Sequence, residues 1–214
     1  DEVFKENEDH VIFFFLLGNY SRYDKNISWK NRYLQELIRK TSAKYAVGIH
    51  PSFYSGNNPG RDLMGEEISR FLQITGKKPE KSRQHFVRFR LPETYRRLIY
   101  KGIKEDYSMG YASHTGFRAG ICTPFNFYDI DKDAVTTLKI FPFQVMDTTL
   151  CDYLGLTPDQ AAEEIEILMN EVKSVGGTFI SIWHNESLSG RGKWEGYREV
   201  FYKMNKTGFN LSNE

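Results

Sequence analysis

Short unbroken apolar runs alternate along the chain with stretches whose apolar residues recur every three or four positions. Val11–Leu17 (VIFFFLL) is seven apolar residues in succession, as expected of a strand buried on both faces of a sheet. From Asn31 to Ala43 the pattern predicts a helix, with Leu34, Leu37 and Ile38 inward and Tyr45 just beyond. Ala46–Ile49 is the next expected strand, and it runs directly into His50. Asp62 can cap a helix reaching Thr75, with Met64, Ile68, Phe71 and Leu72 on its inner face and Gly76 as the stop. Lys81–Phe86 reads as a short strand, and Pro92 opens a helix that Gly102 ends. Glu105–Ser108 and Gly116–Arg118 are short strand candidates. Lys139–Met146 is a longer one, with Pro142 at a bulge or edge. The clearest helix spans Thr157 to Val175: Thr157 caps it, Pro158 takes its first position, Gln160 completes a capping box and Gly176 closes it. Thr178–Trp183 is then a strand delivering His184, and a last amphipathic helix covers about Lys193 to Lys206. Asp1 to Asn7 reads as the tail of a helix.

Strands that each precede a helix imply parallel pairing, because the return crossover must be long. The expected fold is therefore α/β, an irregular and partial (β/α) barrel, with residues 1–214 forming one domain. In such sheets ligands lie beyond the carboxyl ends of the strands. Three of the five histidines, His50, His85 and His184, follow or end strand candidates, so all three are expected at one mouth. Imidazoles there suit metal binding or proton transfer near neutral pH. His10 precedes a strand and belongs to the opposite face, and His114 lies in a loop. Asp106 and Asp147 stand at strand ends, where each could orient a histidine, bind a metal or act as a base; a turn or helix cap is the plain alternative for both. Arg83 and Arg118 could hold a carboxylate or clamp an acidic substrate, whereas Arg88 reads as a surface residue. Phe53, Tyr54, Tyr111 and Trp183 offer stacking surface for a sugar ring, with ordinary packing the alternative for about half of them.

Composition narrows the field. Lys and Arg total 29 against 28 Asp and Glu, and with no basic run nucleic acid is not an expected partner. No apolar run reaches membrane-spanning length. Cys122 and Cys151 are the only cysteines; they match no zinc motif and read as reduced thiols. No signal peptide is visible, which favours the cytoplasm.

The stretches FFFLLGNYSRYDKN (Phe13–Asn26), VGIHPSF (Val47–Phe53), SRQHFVRFRLPETY (Ser82–Tyr95), DYSMGYA (Asp106–Ala112), GFRAG (Gly116–Gly120), VMDTTL (Val145–Leu150) and GGTFISIWHNES (Gly176–Ser187) resemble the polysaccharide deacetylase (NodB-like) superfamily, in a divergent bacterial branch. The resemblance implies an irregular seven-stranded (β/α) barrel and a divalent metal, usually zinc, held by one Asp and two His. The implied reaction is hydrolysis of an acetyl or other acyl group from an N-acylated sugar or polysaccharide. It makes His50 the first histidine of the HxxxH metal motif, but Tyr54 stands where the second would be. His85 could take that place. Arg83 resembles the arginine that tethers the catalytic base, and His184 the histidine that protonates the leaving amine. The family's first motif, an Asp pair ending the first strand, has no counterpart, so that strand is expected to precede Asp1. With these departures the chain is expected to bind zinc weakly and to show little activity of its own. Two other readings stay open: a catalytically inactive barrel that binds carbohydrate, and a related glycoside hydrolase using Asp106 and Asp147 as its carboxylate pair.

Overall fold

In the computed structural model, residues 8–55 and 61–212 are described; the expected helix tail at Asp1 to Asn7 falls outside them. The chain divides into two compact units, Asp1–Ser108 with Phe125–Ile140, and Met109–Pro124 with Phe141–Glu214.

The first unit is built on a six-stranded sheet. Its strands are β1 (Ile12–Phe15), β2 (Ala46–Ile49), β3 (Lys81–Ser82), β4 (Glu105–Asp106), β5 (Phe125–Asp129) and β6 (Ala134–Ile140), in the order β1-β2-β3-β4-β6-β5. All neighbours pair in parallel except the β5–β6 hairpin. Phe15, Ile49, Ser82, Asp106 and Ile140 stand in one row across the sheet. Pairing runs one residue further: the amides of His50, Arg83 and Tyr107 donate to the carbonyls of Phe15, Ile49 and Ser82. The first turn beyond each strand is thus held at the same level.

Helices α1 (Arg32–Lys44), α2 (Leu63–Thr75) and α3 (Glu93–Tyr100) supply the crossovers. Asn31 and Asp62 cap the first two with their side chains. Leu17, Ile38, Phe71 and Ile74 form a buried cluster, with Phe15, Trp29, Leu34 and Val47 packed against it. Two helix-face expectations are corrected, for Leu37 and Leu72 are exposed. In α2 the inward positions go instead to Ile74 and to the carboxyl of Glu67, so the buried face is rotated from the one the sequence indicates.

The second unit holds β7 (Val145–Met146) and β8 (Ser181–Ile182), paired in parallel, with α4 (Pro158–Ser174) and α5 (Tyr197–Ser212). The capping box of Thr157 and Gln160 is formed. Leu168, Met169 and Val172 of α4 are buried, as are Val200, Phe201 and Met204 of α5.

Several strand expectations are corrected. Lys81–Phe86 shortens to two residues, because the chain turns at Phe86 and Val87, both at positive φ (58° and 52°). Lys139–Met146 splits: its start ends β6, its end is β7, and the residues around Pro142 pair with neither. Gly116–Arg118 is a turn, and Phe125–Asp129 is a strand that was not expected. Thr178–Trp183 keeps only Ser181–Ile182, and the last helix begins at Tyr197 rather than near Lys193. The α/β architecture with a parallel sheet is as expected. Both cysteines are free, and among the described residues no helix is long and apolar enough to cross a membrane.

One glycine is demanded by this packing. A Cβ on Gly48 would stand 2.6 Å from the Lys81 carbonyl and 2.7 Å from the Phe14 ring, both closer than van der Waals contact allows. Gly48→Ala should therefore destabilise the first unit by about 1–3 kcal/mol, read as a lower urea midpoint with an unchanged denaturant slope.

Candidate functional site

The row of strand ends delivers two of the three expected imidazoles to one place. His50 and His85 lie in the first unit with ring centroids 4.9 Å apart. Nδ1 of His50 is 2.5 Å from the Arg83 carbonyl oxygen. A carbonyl can only accept, so this nitrogen carries the hydrogen. Nδ1 of His85 lies 2.8 Å from Oδ1 of Asp24 and donates to it in the same way. Both tautomers are thereby set, leaving Nε2 of each neutral ring as the unprotonated nitrogen.

Asp24 carried no signal in the sequence. It sits in the loop after β1, is 1% exposed, and gathers three loops on one carboxyl group. Oδ1 also accepts the Phe53 amide at 2.9 Å, from the loop after β2, and Oδ2 accepts the Ser21 hydroxyl at 2.8 Å. Burying a carboxyl without such partners would cost several kcal/mol. Beside it lies a second buried acid, Glu67 of α2, whose oxygens accept the Ser52 hydroxyl (2.5 Å) and the Ser52 amide (3.0 Å). Burial pushes the Glu67 carboxyl up to about 7, against the hydrogen bonds from Ser52. Glu67 too was missed, because a lone acid on an amphipathic helix reads as solvent-facing.

Asp106, an expected catalytic residue, is completely buried. Its oxygens accept the Ser82 hydroxyl (2.6 Å) and both the hydroxyl and the amide of Ser108 (3.0 Å each). Burial lifts it to about 6, opposed by those hydrogen bonds. The guanidinium carbon of Arg83 lies 5.0 Å from the Phe14 ring centroid. Arg88, expected at the surface, instead covers the Phe53 ring at 4.1 Å and donates to the Phe53 carbonyl.

The remaining expected residues belong to the second unit. Asp147 follows β7 and His184 lies two residues past β8. Oδ1 of Asp147 is 2.7 Å from Nδ1 of His184, and Oδ2 accepts the His184 amide at 2.6 Å. Burial acts to raise the Asp147 carboxyl, but His184, through its ring and amide, outweighs it and holds the carboxyl below its usual value. The Asp147 side chain is inaccessible while that of His184 is one-third exposed, so the acid is hidden and the imidazole is open. Arg118 donates to the Gly110 carbonyl. The Trp183 indole donates to Ser181 and packs edge-on against Phe201, and Tyr111 is exposed.

A catalytic or structural zinc needs at least three protein ligands. His50 and His85 supply two imidazoles, and among the described residues no group of three or more His, Cys, Asp or Glu side chains could hold a metal ion. The described donor set does not fit the expected centre.

No protein-family model and no curated protein matches the chain by sequence. Solved structures match its fold. A protein of Mycobacterium smegmatis assigned as a polysaccharide deacetylase superposes with a TM-score of 0.60 at 16% identity, over 99% of this chain and 75% of its own. Another so assigned, from Bordetella bronchiseptica and involved in O-antigen biosynthesis, gives 0.52 at 13% over 94% and 71%. The allantoinase PuuE gives 0.55 at 13%, over 85% of this chain and 58% of its own. The fold is that of the polysaccharide deacetylases; the narrower likeness to one bacterial branch gains nothing from these matches.

The two raised carboxyls give stability a defined pH dependence. A group whose folded pKa lies above its unfolded value stabilises most below the unfolded value, and that contribution is lost as pH rises through the folded one. For Glu67 the window runs from 4.5 to about 7; Asp147, held low, titrates below it. Glu67→Gln should flatten the fall in stability between pH 4.5 and 7.5 by on the order of 3 kcal/mol, leaving the share due to Asp106. Urea titrations of both proteins across that range measure the difference.

Proposed function

We propose that this chain is a hydrolase of the deacetylase type, removing an acyl group from an N-acylated sugar or polysaccharide. The observation that carries the reading is the Asp147–His184 pair, on a fold shared with polysaccharide deacetylases. A buried carboxylate that grips both the ring and the backbone amide of one histidine fixes its rotamer and tautomer. With Nδ1–H held on Asp147, Nε2 of the doubly protonated ring is the nitrogen that gives its proton to a departing amine, the step that needs an acid when an amide C–N bond breaks. Asp147 is the positioning residue and His184 the acid. His50 and His85, with their tautomers set, are the groups through which the first unit contacts a polar substrate. His50 and His85 are also the residues that would carry a divalent metal if a further ligand joined them.

A second reading has an observation of its own. Tyr54 stands where the metal motif has its second histidine, and two imidazoles make an incomplete centre. This favours a barrel that binds carbohydrate without hydrolysing it.

Amine release from N-acetylated chitooligosaccharides, with and without added zinc, separates the two. The hydrolase reading expects slow release by the unaltered chain. His184→Ala should lower it by about 100-fold or more, and Asp147→Asn should also reduce it. Oligosaccharide binding with no release under any metal condition would establish the binder instead.

A further inference from the structure

The turn after β3 has an unusual backbone. Phe86 and Val87 both occupy the left-handed region, at φ 58° and 52°, which side chains with a Cβ rarely adopt. Such outliers persist where the surrounding structure imposes them, and they gather at functional sites. Here the result is an aromatic ring placed in water: Phe86 is 53% exposed. It is not isolated. Its ring meets Phe53 edge-on at 5.5 Å, Tyr23 edge-on at 6.0 Å and His85 at 4.6 Å. Tyr23 stacks on Phe53 at 4.1 Å, and Tyr54, itself 44% exposed, packs edge-on against Phe53 at 5.3 Å. Arg88 closes the underside of Phe53. Four aromatic rings from the loops after β1, β2 and β3 therefore form one ledge beyond the carboxyl ends of parallel strands, where ligands bind in such sheets.

We infer that this ledge is a saccharide-binding platform on which Phe86 and Tyr54 stack against the C–H face of a pyranose ring. The occupant follows from the chemistry of the rim. A purely apolar partner would leave His85 and the tyrosine hydroxyls facing hydrocarbon, which is costly for polar groups. A sugar ring has an apolar face for the aromatic rings and hydroxyls around its edge for those donors and acceptors. The Asp24 carboxyl, bonded to the Phe53 amide and to His85, fixes two of the contributing loops, so the platform is preformed. The substrate class rests on the functional reading above, but the platform recognises the ring and not its acyl group.

Titration of chitotetraose and cellotetraose, by calorimetry and by amide NMR, tests this. Both should bind, with shifts centred on residues 23, 53, 54 and 86. Phe86→Ala and Tyr54→Ala should each weaken both sugars by about tenfold. Phe86→Gly should weaken binding equally while holding or raising Tm, because glycine adopts positive φ without strain. Failure of both sugars to bind, unchanged affinity in the variants, or a collapse of Tm in Phe86→Gly marking the ring as core packing, would each overturn the platform. Equal binding of both sugars with no amine release would retain the platform and remove the hydrolase reading.

Discussion

Five short strands of the first unit are aligned so that Phe15, Ile49, Ser82, Asp106 and Ile140 share one row. In a parallel sheet, directly paired residues present their side chains to the same face, and a slip of one residue would reverse every one of them. The row fixes where each strand stops, and so which residue first leaves the sheet. His50 and Arg83 leave at the same level, held by hydrogen bonds from their amides to carbonyls of the neighbouring strand. That level explains how residues distant in sequence come to touch: the Arg83 carbonyl lies beside His50 because both are one step past the row. Gly48 is part of the same constraint. With no Cβ there, the Phe14 ring can lie over the strand, where Arg83 and Tyr107 pack against it.

Above the row, loop order is set by buried acids. Loops seldom have apolar residues enough to fix their shape, and hydrogen bonds to a desolvated carboxyl are stronger than those between neutral groups. Asp24 links the loops after β1, β2 and β3, Glu67 ties the loop after β2 to helix α2, and Asp106 ties β3 to the residues beyond β4. Each acid lies where removing a partner would leave a buried polar group unsatisfied, which costs more than the bond itself contributes. The raised carboxyls of Glu67 and Asp106 are the expense of that arrangement.

How much of this could be read from the sequence follows from the range of the forces involved. Helices α2 and α4 were legible because capping and apolar periodicity are local: Asp62 and Thr157 bond amides within three residues of themselves. His50 was legible because a strand pattern ends beside it, and His184 and Asp147 because each follows an apolar run. Asp24 was not, since its partner His85 is 61 positions away and nothing in SRYDKN marks one polar residue as buried. Glu67 was hidden by helix geometry: it precedes Ile68 on the inner face, and only the tertiary contact with Ser52 brings it inside. The β3 strand was overestimated because KSRQHF has no residue that forbids extension; the left-handed turn at Phe86 is imposed by packing and carries no glycine to announce it.

The two histidine–carboxylate pairs are alike in their N···O separation, 2.8 and 2.7 Å, but differ in what they constrain. Asp147 turns one oxygen to the ring of His184, shared with the adjacent Thr148 amide, and the other to the His184 amide, and so fixes the orientation of one imidazole that remains open to solvent. Asp24 divides its oxygens among a ring, a distant amide and a hydroxyl, and so fixes the relative position of three loops. The first arrangement suits a group that must move a proton along a defined line. The second suits a wall that must keep its shape while a ligand rests on it. That difference is why we propose acid catalysis for His184 and recognition for the loops around His85: a carboxylate holding several loops at once cannot also let its histidine adjust to a reacting bond.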